Sequence, residues 1–306
     1  MKFSKRFFSV LLIVAAVAVF AACIKPSPSK TPVDADPELA AEAEGPGSSP
    51  ELADAIAQLS SAVDSQGNKV SEFKDLLGDV LIAAGIPHEL SQKLETAAVK
   101  SPAFILDLLA CLDGDPYLRM LVDKQHPLPN GYKPDDLVEL KGGSYQIRNG
   151  GLMLRRAAAE ALEEMAAAAK ADGITLIASS SYRSYDYQVE VYGRVVKEMG
   201  QAAADRESAR PGHSQHQTGL VVDFGSIDDS FAETAAGRWI EVNGIRFGWS
   251  ISFPDGYEDV TGYRWESWHY RYVGRDLAAF IATWFEGVQQ YALQFIYEWE
   301  KAHADL

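Results

Sequence analysis

The apolar periodicity of this 306-residue chain changes once, near Val122, and that change limits what each part can become. From Glu51 to about Asp123, large apolar residues recur at spacings of three and four: Leu52, Ile56, Leu59 and Val63, then Phe73, Leu76, Leu77 and Val80, then Phe104, Leu108 and Leu112. Such spacing marks one face of a helix. Breaks at Gly67-Asn68, at Gly85 with Pro87 and at Gly114 with Pro116 predict a small bundle of short helices over residues 51–121. Beyond Val122 the texture is mixed. The stretch to Val138 is punctuated by Pro127, Pro129 and Pro134, and residues 152–171 are Ala-rich with Leu154, Ala158, Leu162 and Met165 on one face, predicting a helix that stops at Asp172-Gly173. Ile174–Ala178 reads as a buried strand, Tyr185–Met199 as a helix, and Leu220–Phe224 and Ile245–Ile251 as strands with a helix around Phe231–Val242 between them. Strands and helices interleave without a regular βαβ beat, so the class is α+β, with one domain over residues 122–275. From Arg275 onward, Leu277, Ile281, Trp284, Val288, Tyr291, Phe295 and Trp299 form a long apolar stripe. It predicts a C-terminal helix over residues 276–306, packed on the rest of the chain or, as the sharper reading, offered to a partner or second copy.

The first 50 residues cannot belong to either part. Lys2, Lys5 and Arg6 precede an apolar run from Val10 to Ala22 that is too short to span a bilayer, which needs about 20 residues. Residues 1–22 therefore read as an export signal. Small residues directly before Cys23 resemble the lipobox of bacterial lipoproteins, in which the cysteine becomes the lipidated first residue of the mature chain. Residues 23–50 hold six of the fourteen prolines and almost no large apolar side chains, so they read as a flexible tether. The expected location is the cell envelope, with the chain membrane-anchored and facing the periplasm or the cell exterior. The balance of 28 Lys+Arg against 43 Asp+Glu gives a net charge of −15, which argues against nucleic acid as a partner. Cys111, the other cysteine, lies on an apolar stripe and reads as a core thiol. With so few cysteines, any metal must be held by His and carboxylate.

The chemistry concentrates in two stretches, Pro211–Asp223 and Trp265–Gly274, which hold three of the six histidines and a carboxylate each. A catalytic zinc ion wants three N/O ligands, an open position and a nearby base that is not a ligand. His216, Asp223 and His269 can supply the ligands, leaving Glu266 as the base. His213, in a Pro-Gly turn, would close the site as a fourth ligand and is left out.

Ser214, His216, Gly219 and Asp223, followed by Glu266, Trp268, His269, Arg271, Tyr272, Val273 and Gly274, form a pattern that resembles the VanY-like zinc D-alanyl-D-alanine carboxypeptidases. Tyr182-Arg183-Ser184-Tyr185 with Gln188 also resembles a segment of that family, and the likeness covers roughly residues 120–275. It implies a compact zinc peptidase domain of the Hedgehog/D,D-peptidase type, acting on the D-alanine end of peptidoglycan stem peptides. It further implies His216, Asp223 and His269 on Zn2+, Glu266 as catalytic base, and Arg183 at the scissile carbonyl or the substrate carboxylate. Ser181, Gln188 and Ser214 join Arg183 as substrate-binding candidates, with Ser214 alternatively orienting His216. Two departures stand out: Ser267 where the family usually has Pro, and Ser252 where it often has Arg. Within an ideal strand, Glu266 and His269 would face opposite sides, so the reading requires a bend or bulge at Glu266. The competing readings are a zinc endopeptidase or D,D-dipeptidase on wall peptides, and a non-catalytic envelope lipoprotein that binds them. Nothing in the sequence sets the oligomeric state.

Overall fold

The computed structural model describes residues 68–304. The expected export signal, the Cys23 anchor, the tether and the stripe from Leu52 to Val63 lie outside the described residues. Two compact units are present: one takes in the described residues up to Leu106 together with those from Lys301, and the other runs from Asp107 to Glu300.

In the first unit, α1 (Asn68–Ala83) and α2 (His88–Lys100) pack on one another. Phe73, Leu77 and Val80 of α1 are buried, as the spacing predicts, and so are Leu81 and, in α2, Leu90, Leu94 and Ala98. The connection turns at Gly85 (φ 67°), and Ile86 N–H closes it on Leu81 C=O at 3.0 Å. Helix α3 (Ala103–Asp113) follows Pro102. Its Cys111 is buried, and burial pushes the thiol pKa up to about 12, as suits a packing residue and not a nucleophile.

The larger unit is built on a five-stranded sheet of order β2-β4-β5-β7-β6, with a two-stranded ribbon beside it. Strands β1 (Leu137–Glu139) and β3 (Met153–Arg155) form the ribbon, with Leu137 opposite Arg155. Strand β2 (Gln146–Ile147) pairs in parallel with β4 (Ile177–Ser180), and the remaining pairs are antiparallel. Helix α4 (Arg156–Ala171) lies between β3 and β4 in sequence and buries Ala158, Leu162, Met165 and Ala169 in the same core as Val222, Phe224, Trp249 and Tyr270 of the sheet. After β4 come α5 (Tyr185–Met199), α6 (Gln201–Glu207), a single 3-10 turn (Gln215–Thr218) and β5 (Val221–Phe224). A second 3-10 turn (Asp229–Glu233), α7 (Ala235–Asn243), a third (Gly244–Phe247) and β6 (Trp249–Ile251) lead to α8 (Glu258–Thr261) and β7 (His269–Tyr272). Helices α9 (Arg275–Trp284) and α10 (Gln289–Ala304) end the described chain. No helix among the described residues is long and apolar enough to cross a membrane.

Five expectations are corrected. The strand expected at Ile245–Ile251 is only Trp249–Ile251, because Gly244–Phe247 is a 3-10 turn closed by Gly248 N–H on Ile245 C=O at 3.1 Å. Residues 153–155 are strand and not the start of the Ala-rich helix, because β1 pairs with them and Ser181 Oγ accepts the Met153 N–H at 2.9 Å. The strand expected at Ile174–Ala178 runs from Ile177 to Ser180. The helix expected around Phe231–Val242 is broken at Thr234, whose side chain accepts the Gly237 N–H at 2.9 Å and caps α7. The C-terminal helix is two helices: Glu286 (φ 55°) and Gly287 (φ 78°) turn the chain, and Gly287 N–H returns to Ile281 C=O at 3.1 Å.

Candidate functional site

The two central strands set the geometry. Asp223 of β5 and His269 of β7 are directly paired, so their side chains leave the same face of the sheet. Their neighbours Val222, Phe224 and Tyr270 point into the core on the other face. His216 reaches the pair from the 3-10 turn. Gly219 ends that turn in the left-handed region (φ 72°) and lets the chain enter β5 at once.

His216 Nδ1 lies 2.7 Å from Ser181 C=O and donates to it, which leaves the lone pair on Nε2, 3.3 Å from Asp223 Oδ2. His269 presents Nδ1 to Asp223 Oδ1 at 3.4 Å and to Glu266 Oε2 at 3.1 Å. One ligand atom from each of His216, Asp223 and His269 lies within 4.8 Å of the others. All three residues are buried, and Asp223 Oδ1 has no hydrogen-bond partner. Leaving a buried carboxylate oxygen unpaired is costly. Two imidazoles, one against each oxygen of the Asp223 carboxylate, form with it a donor set that fits a zinc cofactor, with one position open.

Electrostatics agree with this arrangement. Burial lowers the His216 pKa to about 4, keeping the ring neutral and able to ligate. For Asp223, burial alone would raise the pKa, but His216, His269 and Arg183 outweigh it and hold the carboxyl well below its usual range. Glu266 goes the other way: burial raises its pKa, with His269 opposing. The two carboxylates thus separate into a permanent anion and a group able to exchange protons.

Arg183 follows β4 and lines the same cleft, a cavity of about 580 Å3 that also takes in Ser214 and Glu266. Its backbone N–H donates to His216 C=O at 3.2 Å, and its Nη1 to Gln188 Oε1 at 2.8 Å. Six of the sequence-predicted residues, Arg183, Ser214, His216, Asp223, Glu266 and His269, therefore meet at one cleft. His213 lines it too but donates Nδ1 to Asp123 C=O at 2.8 Å, outside the ligand cluster.

Two expected substrate contacts are corrected. Gln188 is fully buried, with Nε2 donating to Ala209 C=O at 2.6 Å, so its amide holds Arg183 and does not face the cleft. Ser181 is buried as well, its hydroxyl taken by Met153 N–H and its carbonyl by His216. Both support residues that the cleft does contain. Arg264 was missed by the sequence reading. It lines the cleft and holds both oxygens of Asp229 at 2.6 Å, with Glu207 at 3.6 Å. Only its place two residues before Glu266 signals it.

Comparison with known proteins adds the following. The family model for VanY, D-alanyl-D-alanine carboxypeptidase, matches residues 151–275. The Bacillus subtilis protein YodJ, provisionally named a carboxypeptidase, is 38% identical over 184 residues, which are 58% of this chain and 67% of YodJ. The D-alanyl-D-alanine carboxypeptidase of Enterococcus faecalis is 35% identical over 171 residues, 53% of this chain and 60% of that protein. Among solved structures, the LdcB LD-carboxypeptidase, whose structure is described as revealing the basis of peptidoglycan recognition, matches with a TM-score of 0.50 at 37% identity and covers 55% of this chain and 85% of its own.

Proposed function

Because the chain belongs to the VanY-like D-alanyl-D-alanine carboxypeptidase family, we propose that it is a zinc-dependent carboxypeptidase that removes C-terminal D-alanine from peptidoglycan stem peptides. The observation that carries the reading is the buried cluster of His216, Asp223 and His269, one ligand atom of each within 4.8 Å of the others, with Glu266 3.1 Å from His269. Zinc held by those three residues would supply Lewis acidity and a nucleophilic water at neutral pH. Glu266, its pKa raised by burial, takes the proton from the attacking water and passes it to the departing D-alanine amine. Arg183, steadied by Gln188, presents a planar cation to the developing oxyanion or to the substrate's terminal carboxylate. Asp223 stays ionised throughout.

The reading extends to the cell envelope, with Cys23 as lipid anchor and residues 24–50 as tether to the wall. The deciding experiment incubates the zinc-loaded full chain with defined tri-, tetra- and pentapeptide stems, with Glu266→Ala as control. Release of D-alanine from the pentapeptide alone assigns D,D-cleavage, and release from the tetrapeptide assigns L,D-cleavage. Release of the D-alanyl-D-alanine dipeptide replaces the carboxypeptidase with a dipeptidase. No release, or equal release by the control, refutes the enzyme reading in favour of a peptide-binding protein.

A further inference from the structure

Helix α10 lies outside the segment matched by the family model, yet its first two residues reach into the support of the site. Gln289 and Gln290 are 1% and 4% exposed, and burying an amide is costly unless its polar atoms are used. Gln289 Nε2 donates to Ser250 C=O at 3.2 Å, and its Oε1 stands 3.4 Å from the Ser252 hydroxyl. That hydroxyl has one proton and gives it, at 2.7 Å, to Oε1 of Gln215, the residue before His216. Ser252 N–H donates to His269 C=O at 3.2 Å, and the adjoining Phe253 C=O accepts the Glu266 N–H at 3.0 Å. Ser252 therefore joins the turn that carries His216 to the strand end that carries His269 and Glu266.

Gln290 serves the other side. Its Nε2 donates to Asp123 Oδ2 at 2.7 Å, while Asp123 Oδ1 accepts the Gln125 and His126 N–H groups at 2.8 and 2.9 Å. The carbonyl of the same Asp123 receives His213 Nδ1 at 2.8 Å. Leu128 N–H, a few residues on, binds Gly212 C=O at 2.8 Å. Gln289 thus acts on Gln215 by holding Ser250 C=O, two residues before Ser252, and Gln290 acts on His213 through Asp123; Gln215 and His213 flank Ser214 and lead into His216.

We propose that α10 is a positioning element of the site, in which Gln289 and Gln290 clamp the 213–216 segment through the Ser250–Ser252 segment and Asp123 and so fix His216 against the strand-borne Asp223 and His269. The inference rests on His216 belonging to the peptidase centre. Its physical basis is an asymmetry among the three candidate ligands. Asp223 and His269 sit on strands held by ladder bonds, whereas His216 sits on a single 3-10 turn whose geometry is intrinsically weak. A short turn holds a position to within a fraction of an ångström only if its supporting shell is itself fixed.

The test uses the full chain and two readouts. In metal-free protein, Gln289→Leu and Gln290→Leu are expected to speed backbone amide exchange of residues 213–219 by about tenfold, leaving β4 and β5 unchanged. With zinc and stem peptide, kcat falls about tenfold or more while KM stays within about twofold. Ser252→Ala adds no bulk and repeats the exchange change if a leucine variant fails to fold. Unchanged exchange at 213–219 in folded variants overturns the proposal, and so does a rise spread evenly over the sheet, which marks general destabilisation. A chain that cleaves no peptide refutes the functional reading alone, since the exchange readout still decides the clamp.

Discussion

The Glu266 carboxylate lies 3.1 Å from Nδ1 of His269, although the two residues are three apart, a spacing that a continuous strand would send to opposite faces. Strand β7 starts only at His269. Glu266 precedes it in a turn closed by His269 N–H on Glu266 C=O at 3.3 Å and anchored through Glu266 N–H on Phe253 C=O at 3.0 Å. The bend that the sequence required is therefore present, and the carboxylate comes round to the face of Asp223. Glu266→Gln keeps the shape and removes the basic oxygen. It is expected to lower kcat by about 10²- to 10⁴-fold, with bound zinc by elemental analysis unchanged. A variant within about threefold of the parent would remove Glu266 from the chemistry.

Asp223 gives a test of the metal that does not depend on turnover. The parent chain is expected to bind one zinc per molecule through His216, Asp223 and His269, while Asp223→Asn weakens binding by at least about 100-fold, the upper cost of disturbing even an outer-shell partner. By linkage, zinc at 100 times its Kd stabilises the parent against urea by about 2.7 kcal/mol. The variant should gain almost nothing at that concentration. Equal stabilisation of both would place the ion elsewhere.

Arg183 is held through Nη1 by Gln188 at 2.8 Å and, at 3.5 Å, through Nη2 by the Ser180 hydroxyl, while the side chain still lines the cleft. Arg183→Lys keeps the charge and loses the fork. A drop of about 10²- to 10³-fold in kcat/KM is expected, the range for losing one donor to a developing oxyanion. Comparing a stem peptide with its C-terminal amide separates the two roles. If Arg183 reads the carboxylate, the parent prefers the free acid and the variant loses that preference; if it serves the oxyanion, both peptides suffer alike.

Asp123 provides a pH signature. Burial alone would raise its pKa, but the Gln125 N–H, His126 and Gln290 outweigh that and leave it below the ordinary range. The groups facing it are His126, at 2.8 Å, and, by charge, Tyr263 of the segment before β7. A carboxyl whose pKa is depressed on folding stabilises the native state above its unfolded value, about 3.9, and loses that contribution as pH falls through the folded value. Asp123→Asn is accordingly expected to cost about 1.5–3 kcal/mol at pH 7, the range for hydrogen bonds to a charged group. Urea titrations should show the gap to the parent narrowing below about pH 4. A gap that stays constant down to pH 2 would mean that the charge is not what matters.

The cluster of His216, Asp223, His269 and Glu266 was legible because each residue sits in a short run whose chemistry is local. What was not legible depends on partners distant in sequence. Leu154 lies at helical spacing from Ala158, but β1 claims Met153–Arg155 for a ribbon. Phe285 and Val288 keep the apolar count going through the turn at Glu286–Gly287, so periodicity reads one helix where there are two. Gln188 stands near Arg183 by spacing alone. Only the fold shows that its amide turns to Ala209 and is closed off from the cleft. The two glutamines of α10 carry no motif at all, and Ser252 stands out only as a departure from the family's pattern.

Gly219 stands between His216 and β5, and a side chain there would be wrong in two ways. Its φ of 72° is a conformation that costs an ordinary residue about 1–2 kcal/mol. A Cβ would also lie 2.9 Å from Leu137 Cδ2 and 3.0 Å from Arg155 Cγ, so the neighbours or the turn must move. Gly173, after α4, has nearly the same φ of 76° but nothing within 4 Å of its Cβ position, and so isolates the backbone cost. Gly173→Ala is expected to lose only that cost and to keep full zinc affinity. Gly219→Ala should lose about 1–3 kcal/mol more from overpacking, and its zinc affinity should fall by tenfold or more, because the turn that shifts is the one that places His216. Denaturant titration and zinc binding measured on both variants separate the terms: if Gly219→Ala loses stability yet binds zinc as the parent does, the turn tolerates the shift and His216 is not held to the accuracy that the site requires.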